Sequence, residues 1–230
     1  MTPIEHAAQY PNEEICGIMV GDKYYPAKNT AKDKKNNFRI AKKDWRADAT
    51  AIVHSHPDGY RYLSTADRQQ QVLTGLPYHL IAGGECYVYR CCPLLRGREF
   101  VYGKADCYAL LRDAYMLAGI DLPERQRTDI ESDSKAERFK NELPTGSFFV
   151  VSDLQPGDIM LSNVGGHANH VGVYLGDDQV LHHPAGQLSR IEPVGSGWMR
   201  YVESIWRHPE MSAEKVEAIK NDLEAYTWQR

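Results

Sequence analysis

No stretch of this sequence stays apolar for the roughly 18 residues that a bilayer-crossing helix requires, which excludes a helical membrane span. Basic charge is not in excess. Lys and Arg number 27 against 31 Asp and Glu, for a formal net charge of −4. That balance leaves no electrostatic footprint for nucleic acid, and no basic run is long enough to create one. The opening "MTPIEHAAQYPNEE" lacks a basic start followed by an apolar core, which argues against a secretory signal. Cysteine is scarce: Cys16, Cys86, Cys91, Cys92 and Cys107. An odd number without a signal argues against a disulfide framework and for synthesis in a reducing cytosol. There is no C-x-x-C, so a cysteine-held zinc is not expected, and most of these thiols are expected to be small core residues. No internal repeat is visible, so the chain reads as unlike domains rather than an array.

What is present is the composition of an ordinary globular protein, 42% hydrophobic and 25% charged over 230 residues, long enough for two modest domains. Glu14–Val20 and Lys23–Pro26 read as strands joined by a Gly21-Asp22 turn, followed by a Lys- and Asn-rich loop. Ala51–His54 reads as a short buried strand. Ser64–Thr74 reads as a helix capped by Ser64, and strands follow around Tyr78–Ala82 and Glu85–Arg90. "CCPLLRGREF" marks a junction. Beyond it Asp106–Ala118 is a helix with an apolar stripe of Leu110, Leu111, Ala114, Tyr115 and Ala118. Glu124–Glu142 is charged and irregular, partly helical. "DIMLS", "HVGVYLG" and "QVLHHP" are strands, the last two joined through Gly176-Asp177-Asp178 as a hairpin. Residues 211–229 hold Val216, Ile219, Leu223 and Tyr226 at helical spacing behind Ser212, an amphipathic helix that docks on the body or on a partner.

Two constellations carry chemistry. In "AIVHSHPDGYRYLSTAD", His54 and His56 sit two apart at a strand end and share one face. Two imidazoles and a carboxylate satisfy three corners of a zinc tetrahedron and leave the fourth for water, whose pKa the metal lowers. Asp67, fixed by a capped helix start, supplies the carboxylate. Glu14 is the candidate general base, and Ser64 the candidate hydrogen-bond partner of the oxyanion. Alone, such a pair of histidines is more often a feature of a turn. The full pattern is more specific: a glutamate before Ile-Cys-Gly, then H-x-H, seven residues, S, two residues, D. It resembles the signature of the JAMM/MPN zinc isopeptidases. The resemblance implies zinc on His54, His56 and Asp67, Glu14 as base, and Ser64 stabilising the oxyanion.

The second constellation centres on Cys107, in the first turn of its helix, where the partial positive charge of the helix end favours a thiolate. A nucleophile needs a base and the base an orienting group. His170 opens one strand and His182 lies twelve residues later on the next. His183 is adjacent, but alternation and spacing favour His182. Tyr102, five residues before the cysteine, is a further candidate for help at the oxyanion or substrate. Asp106-Cys107, Pro156-Gly157-Asp158, the strand His170–Tyr174 and Leu181-His182 together resemble the NlpC-type papain-like cell-wall peptidases. That resemblance implies nucleophile Cys107, base His170 and orienting His182. Tyr108-Ala109 stands where those enzymes usually have Ser-Gly, which bears on the shape of the groove.

The expected fold class is therefore α+β in two domains: a JAMM/MPN-like mixed α/β metallopeptidase fold at 1–93, and a papain-like NlpC-type fold, a helix on an antiparallel sheet, at 98–208. Residues 209–230 form the amphipathic tail. A zinc peptidase domain followed by an NlpC-type domain resembles the tail-tip assembly proteins of lambda-like siphophages. The likeness implies assembly in the host cytoplasm, a place at the virion's tail tip, other tail proteins as partners, peptidoglycan stem peptides as one substrate, and Zn2+ as cofactor. The zinc domain would process a phage protein or cut a second wall bond. Two rivals remain: a tail scaffold with one or both folds inactive, and a cytosolic isopeptidase acting on a ubiquitin-like or sulfur-carrier protein.

Overall fold

The computed structural model describes residues 1–229, with α+β architecture divided between two compact units, residues 1–92 and 93–230. The first begins with α1 (Pro3–Gln9), where Thr2 and Glu5 form a reciprocal capping box and Pro3 occupies the first turn. Strands β1 (Cys16–Val20), β2 (Lys23–Ala27), β3 (Ala51–His56), β4 (Tyr78–Ala82) and β5 (Glu85–Tyr89) form a sheet in the order β2-β1-β3-β4-β5. Only β3 and β4 run parallel; α2 (Thr65–Thr74) is their crossover. Ile15, Val53 and Ile81 make a core beneath Ala7, Met19 and Tyr24. Gly17 allows this packing, because a Cβ there would lie 2.4 Å from the Tyr24 ring. The Tyr24 hydroxyl is hydrogen-bonded to His6 Nδ1 at 2.8 Å, so β2 holds α1 down.

The second unit sets α3 (Cys107–Leu117) against an antiparallel sheet of six strands. These are β6 (Phe149–Val151), β7 (Ile159–Val164), β8 (His167–Gly176), β9 (Gln179–His182), β10 (Arg190–Pro193) and β11 (Val202–Arg207), in the order β10-β9-β8-β7-β11-β6. Short helices α4 (Ile130–Lys135) and α5 (Arg138–Glu142) precede the strands, α6 (Gly195–Met199) falls between β10 and β11, and α7 (Ala213–Ala225) closes the unit. The β8–β9 turn has Asp177 and Asp178 both at positive φ, 50° and 57°, the geometry that matches the twist of a two-residue hairpin. Tyr115 donates to the Gly157 carbonyl at 2.6 Å, and Asp158 accepts from Arg207 Nε and Nη2 at 2.8 Å each. The Pro-Gly-Asp run is thus the bracket that seats α3 on the sheet.

The C-terminal helix docks on the body of this unit. Val216, Ile219 and Leu223 are buried and the Asp222 carboxylate accepts from the Leu95 amide at 2.8 Å. It ends at Ala225, four residues short of the expected limit, in a 3-10 turn; Arg230 lies outside the described residues. Five of the named helices and strands escape the periodicity of the sequence: α1, β6, β10, α6 and β11. Each is short, and the strands show no clean alternation (β10 is half-buried throughout). Glu14 lies two residues before β1 rather than on it. Of the cysteines only Cys16 and Cys92 are buried; Cys86 is exposed on β5, and all five are free.

Candidate active sites

In the first unit, β3 delivers His54 and His56 to one face and α2 brings Asp67 opposite them. Asp67 Oδ1 lies 3.3 Å from His54 Nε2, and Oδ2 lies 3.3 Å from His56 Nε2. One ligand atom from each of the three residues falls within 4.8 Å of the others. The His56 Nδ1–H donates to the Tyr60 carbonyl at 2.8 Å, since a carbonyl can only accept; this fixes the tautomer and leaves the Nε2 lone pair aimed into the cradle. His54 is fully buried, stacked 4.8 Å from Phe38, and neither ring nitrogen makes a hydrogen bond among the described residues. A buried imidazole whose nitrogens make no hydrogen bond among the described residues, beside a carboxylate, is the donor set that a zinc ion satisfies. Burial alone would push Asp67 up, but the two imidazoles, His54 first, hold it well below the usual carboxylate range. The same carboxylate outweighs burial at His56 and raises it.

Glu14 is pinned through its backbone. Its amide donates to the Lys34 carbonyl at 2.7 Å, its carbonyl accepts from Asn29 Nδ2 at 2.9 Å, and the next amide, Ile15, donates to Ser55 Oγ between the two histidines. Burial, then the nearby Asp67 charge, raises its carboxyl to about 8. Ser64 is the N-cap of α2. Its hydroxyl accepts from the Asp67 amide at 3.1 Å and donates to Asp67 Oδ2 at 2.7 Å. A hydroxyl has one proton to give, and here it goes to Asp67. Ser64 in this geometry orients a ligand; an oxyanion role requires the hydroxyl to turn.

In the second unit Cys107 opens α3, and the Asp106 side chain caps the helix by accepting from the Ala109 amide at 2.9 Å. Cys107, His170 and His182 line one cavity of about 540 Å³. His170 Nε2 lies 3.1 Å from His182 Nδ1, and His182 Nε2 lies 3.0 Å from Glu192 Oε2. One tautomer set fits this run: each Nε2 carries its proton, and His170 Nδ1 is the nitrogen left for Cys107. Burial lowers His170 to about 3 and His182 to about 4, so both imidazoles are neutral at neutral pH. Trp198 packs edge-on against His182 at 4.8 Å. Gly172 makes room, since a Cβ there would lie 3.1 Å from Trp198 and 3.4 Å from the His182 Cβ.

The thiol departs from the expectation of a helix-end thiolate. Burial first, and the Asp106 charge second, push Cys107 up to about 12, against the amides of Val171 and Tyr108 and the charge of Arg127. The helix-end effect is worth only about 1 kcal/mol and loses to desolvation. The helix end therefore presents Cys107 as a thiol rather than a standing thiolate.

Comparison with known proteins follows these two sites. Residues 3–92 match the family described as prokaryotic homologs of the JAB domain, and residues 97–207 match the NlpC/P60 family. The chain is 39% identical to tail tip assembly protein K of Escherichia phage lambda, over 81% of this chain and 98% of that protein. The chain belongs to the tail tip assembly protein K family. The K protein of Escherichia phage N15 is 30% identical over 91% of this chain and 93% of its own length. A probable endopeptidase p60 of Listeria monocytogenes is 24% identical over 44% of this chain and 18% of its own length. In this member of the K family, no helix among the described residues is long and apolar enough to cross a membrane.

Three residues at the second site were not legible in the sequence. Glu192 stands on β10, paired in register next to β9, and the Arg190 and Trp198 side chains donate to it. Ser162, directly opposite His170 in the β7–β8 ladder, presents in the same cavity a buried hydroxyl with no hydrogen-bond partner among the described residues. Arg127 donates to Asp106 through Nε at 2.6 Å and Nη2 at 3.1 Å. Alternation on a strand could have pointed to Ser162; nothing local marks the other two. Alternation does not separate His182 from His183, because β9 ends at His182. His183 follows it in a loop, packed on Phe100 at 5.3 Å, and lines the cavity as well. The Tyr102 hydroxyl is engaged with Asp133 at 2.6 Å.

Proposed function

We propose that this K-family chain is a peptidase of the phage tail tip, with a cysteine endopeptidase site at Cys107 acting on peptide stems of peptidoglycan and a zinc peptidase site at His54, His56 and Asp67. The observation that carries the reading is the ordered run His170–His182–Glu192 in the cavity that also holds Cys107. A half-buried thiol at a helix end has no structural need for two neutral imidazoles in line within its cavity. In the reaction Cys107 Sγ gives its proton to His170 Nδ1 as it attacks the scissile carbonyl carbon. His182 accepts the hydrogen bond from His170 Nε2–H and holds the ring in that tautomer, and Glu192 supports His182 as positive charge develops. The imidazolium then protonates the leaving amine, and water, deprotonated by His170, releases the acyl group.

In the first unit His54, His56 and Asp67 would hold zinc, which when bound lowers the pKa of a coordinated water and polarises a carbonyl. Glu14, fixed by three backbone hydrogen bonds, stands off the cradle as proton carrier, and Ser64 aligns Asp67. The substrate of this site is a tail protein processed during assembly, a reading supported by the kinship to proteins named for tail tip assembly. By the same kinship the protein acts in the host cytoplasm during assembly and at the tail tip of the virion, with other tail proteins as partners.

The test is cleavage of purified peptidoglycan by wild type, Cys107→Ala and His54→Ala, with zinc quantified in each. The reading expects peptide release by wild type and His54→Ala, none by Cys107→Ala, and about one zinc per chain except in His54→Ala. Wild type that holds zinc and releases nothing would favour a tail scaffold over a wall hydrolase.

A further inference from the structure

We propose that Arg127 is a positioning residue for the Cys107 nucleophile: carried on a polar strap over the pocket, its guanidinium neutralises Asp106 and thereby permits the neighbouring thiol to ionise. The inference rests on the reading of Cys107 as nucleophile and adds a condition for its activation.

Asp106 adjoins Cys107 because it caps the helix that presents the thiol. The cap stabilises the helix, but it sets a buried negative charge beside the atom that has to become negative. Asp106 is 1% exposed, and water cannot screen it. Arg127 meets it with two parallel N–H donors, and its third nitrogen, Nη1, donates to the Arg125 carbonyl at 2.8 Å. A fork held at three points delivers one charge to one place, which a lysine would not do. The charged and titratable groups facing Cys107 are Asp106 beside it, Arg127 from the strap, His170 from β8, His182 from the end of β9 and His183 from the loop that follows. Of these only Arg127 offsets Asp106 directly while both imidazoles are neutral.

The strap is residues 124–142. Among its described residues only Asp133 is buried, so no apolar core of its own holds it down. It is fastened by polar contacts: Arg127 on Asp106, Tyr102 on Asp133, and the Arg125 and Arg127 guanidinium groups 4.8 and 5.1 Å from the Tyr108 ring centre. Arg125, Arg127, Arg138 and Phe139 line the pocket.

The experiment is alkylation of Cys107 by iodoacetamide, in which the thiolate sulfur displaces iodide. The rate is followed against pH on the full chain, with the Cys107 peptide read by mass spectrometry so that the other thiols do not count. Arg127→Gln is expected to move the midpoint up by about one pH unit and to slow alkylation about tenfold near neutrality. Asp106→Asn, which keeps the cap, is expected to move the midpoint down. Asp106→Asn with Arg127→Gln is expected to return close to wild type. An unmoved midpoint in Arg127→Gln, or a double variant as slow as Arg127→Gln alone, overturns the proposal. If Arg127→Gln does not fold, Asp106→Asn decides by itself, an unmoved midpoint again overturning it. Muropeptide cleavage by wild type, run in parallel, separates the two readings. Alkylation that follows the proposal without cleavage counts against the peptidase; cleavage with an unmoved midpoint counts against Arg127 alone.

Discussion

At the scale of single residues, the second site is a chain of proton positions, and its last member is testable apart from its first. Glu192 is held below the usual carboxylate range, burial opposing and the Arg190 hydrogen bond prevailing, so it is an anion facing His182 Nε2–H. Glu192→Gln keeps the shape and removes the charge. The expected result is a fall in kcat on wall peptides of about tenfold with KM little changed, well short of the loss of about 10³ or more expected for His170→Ala. An unchanged kcat would show that His182 needs no further support. The proposed zinc site allows a similar separation. Glu14→Gln is expected to retain the metal and lose turnover in the first unit, whereas His56→Ala is expected to lose the metal. Equal zinc content in the two variants, measured by metal analysis after gel filtration, would count against the division between ligands and base.

At the scale of elements, the site in the second unit depends on β8 and β9 lying close enough for Trp198 to reach His182. Gly172 sets that distance. Gly172→Ala puts a methyl 2.6 Å from Val180 Cγ2 and 3.1 Å from Trp198, and both contacts must give. The expected cost is about 1–3 kcal/mol, read as a lower urea midpoint, with a shift in Trp198 fluorescence and loss of wall-peptide cleavage. Wild-type values on all three would mean the ladder adapts freely. The same ladder shows which parts of the molecule were legible in the sequence. His54-x-His56 with Ser64-x-x-Asp67 compresses one cradle into fourteen residues of a strand, turn and capped helix, and each of those elements announces itself locally. Cys107 and His182 are legible because they stand at the first residue of α3 and the last of β9; His170, expected to open its strand, lies three residues inside β8, which begins at His167. Glu192 and Arg127 are not legible, because they reach the site through sheet order and a folded-back strap, which no local spacing encodes. The state of the Cys107 thiol was misjudged for a related reason. The helix end is visible in the sequence, while the burial that overrides it is not.

At the scale of the whole molecule, two units with separate cores are expected to respond separately. Removing zinc should loosen residues 1–92 and leave 93–230 as they were, because metal that binds only the native state stabilises only the unit that holds it. Hydrogen exchange with and without chelator would show this, and equal protection changes in both units would contradict it. Acid is expected to act mainly through histidine. Burial lowers His170 to about 3 and His182 to about 4, and also lowers His183 and His208. A group whose native pKa lies below its unfolded value near 6.5 binds more protons when unfolded, so stability rises with pH across that interval. The stabilisation is complete above about pH 6.5 and is lost as pH falls towards the native values. The second unit should therefore melt several degrees lower near pH 5 than near pH 7. His182→Gln should flatten that dependence, since it removes one of the two groups with the largest displacement. A melting temperature that holds steady from about pH 7 to about pH 5 would mean that the histidines do not enter the native state neutral, and with it would fall the proton path from Cys107 to Glu192.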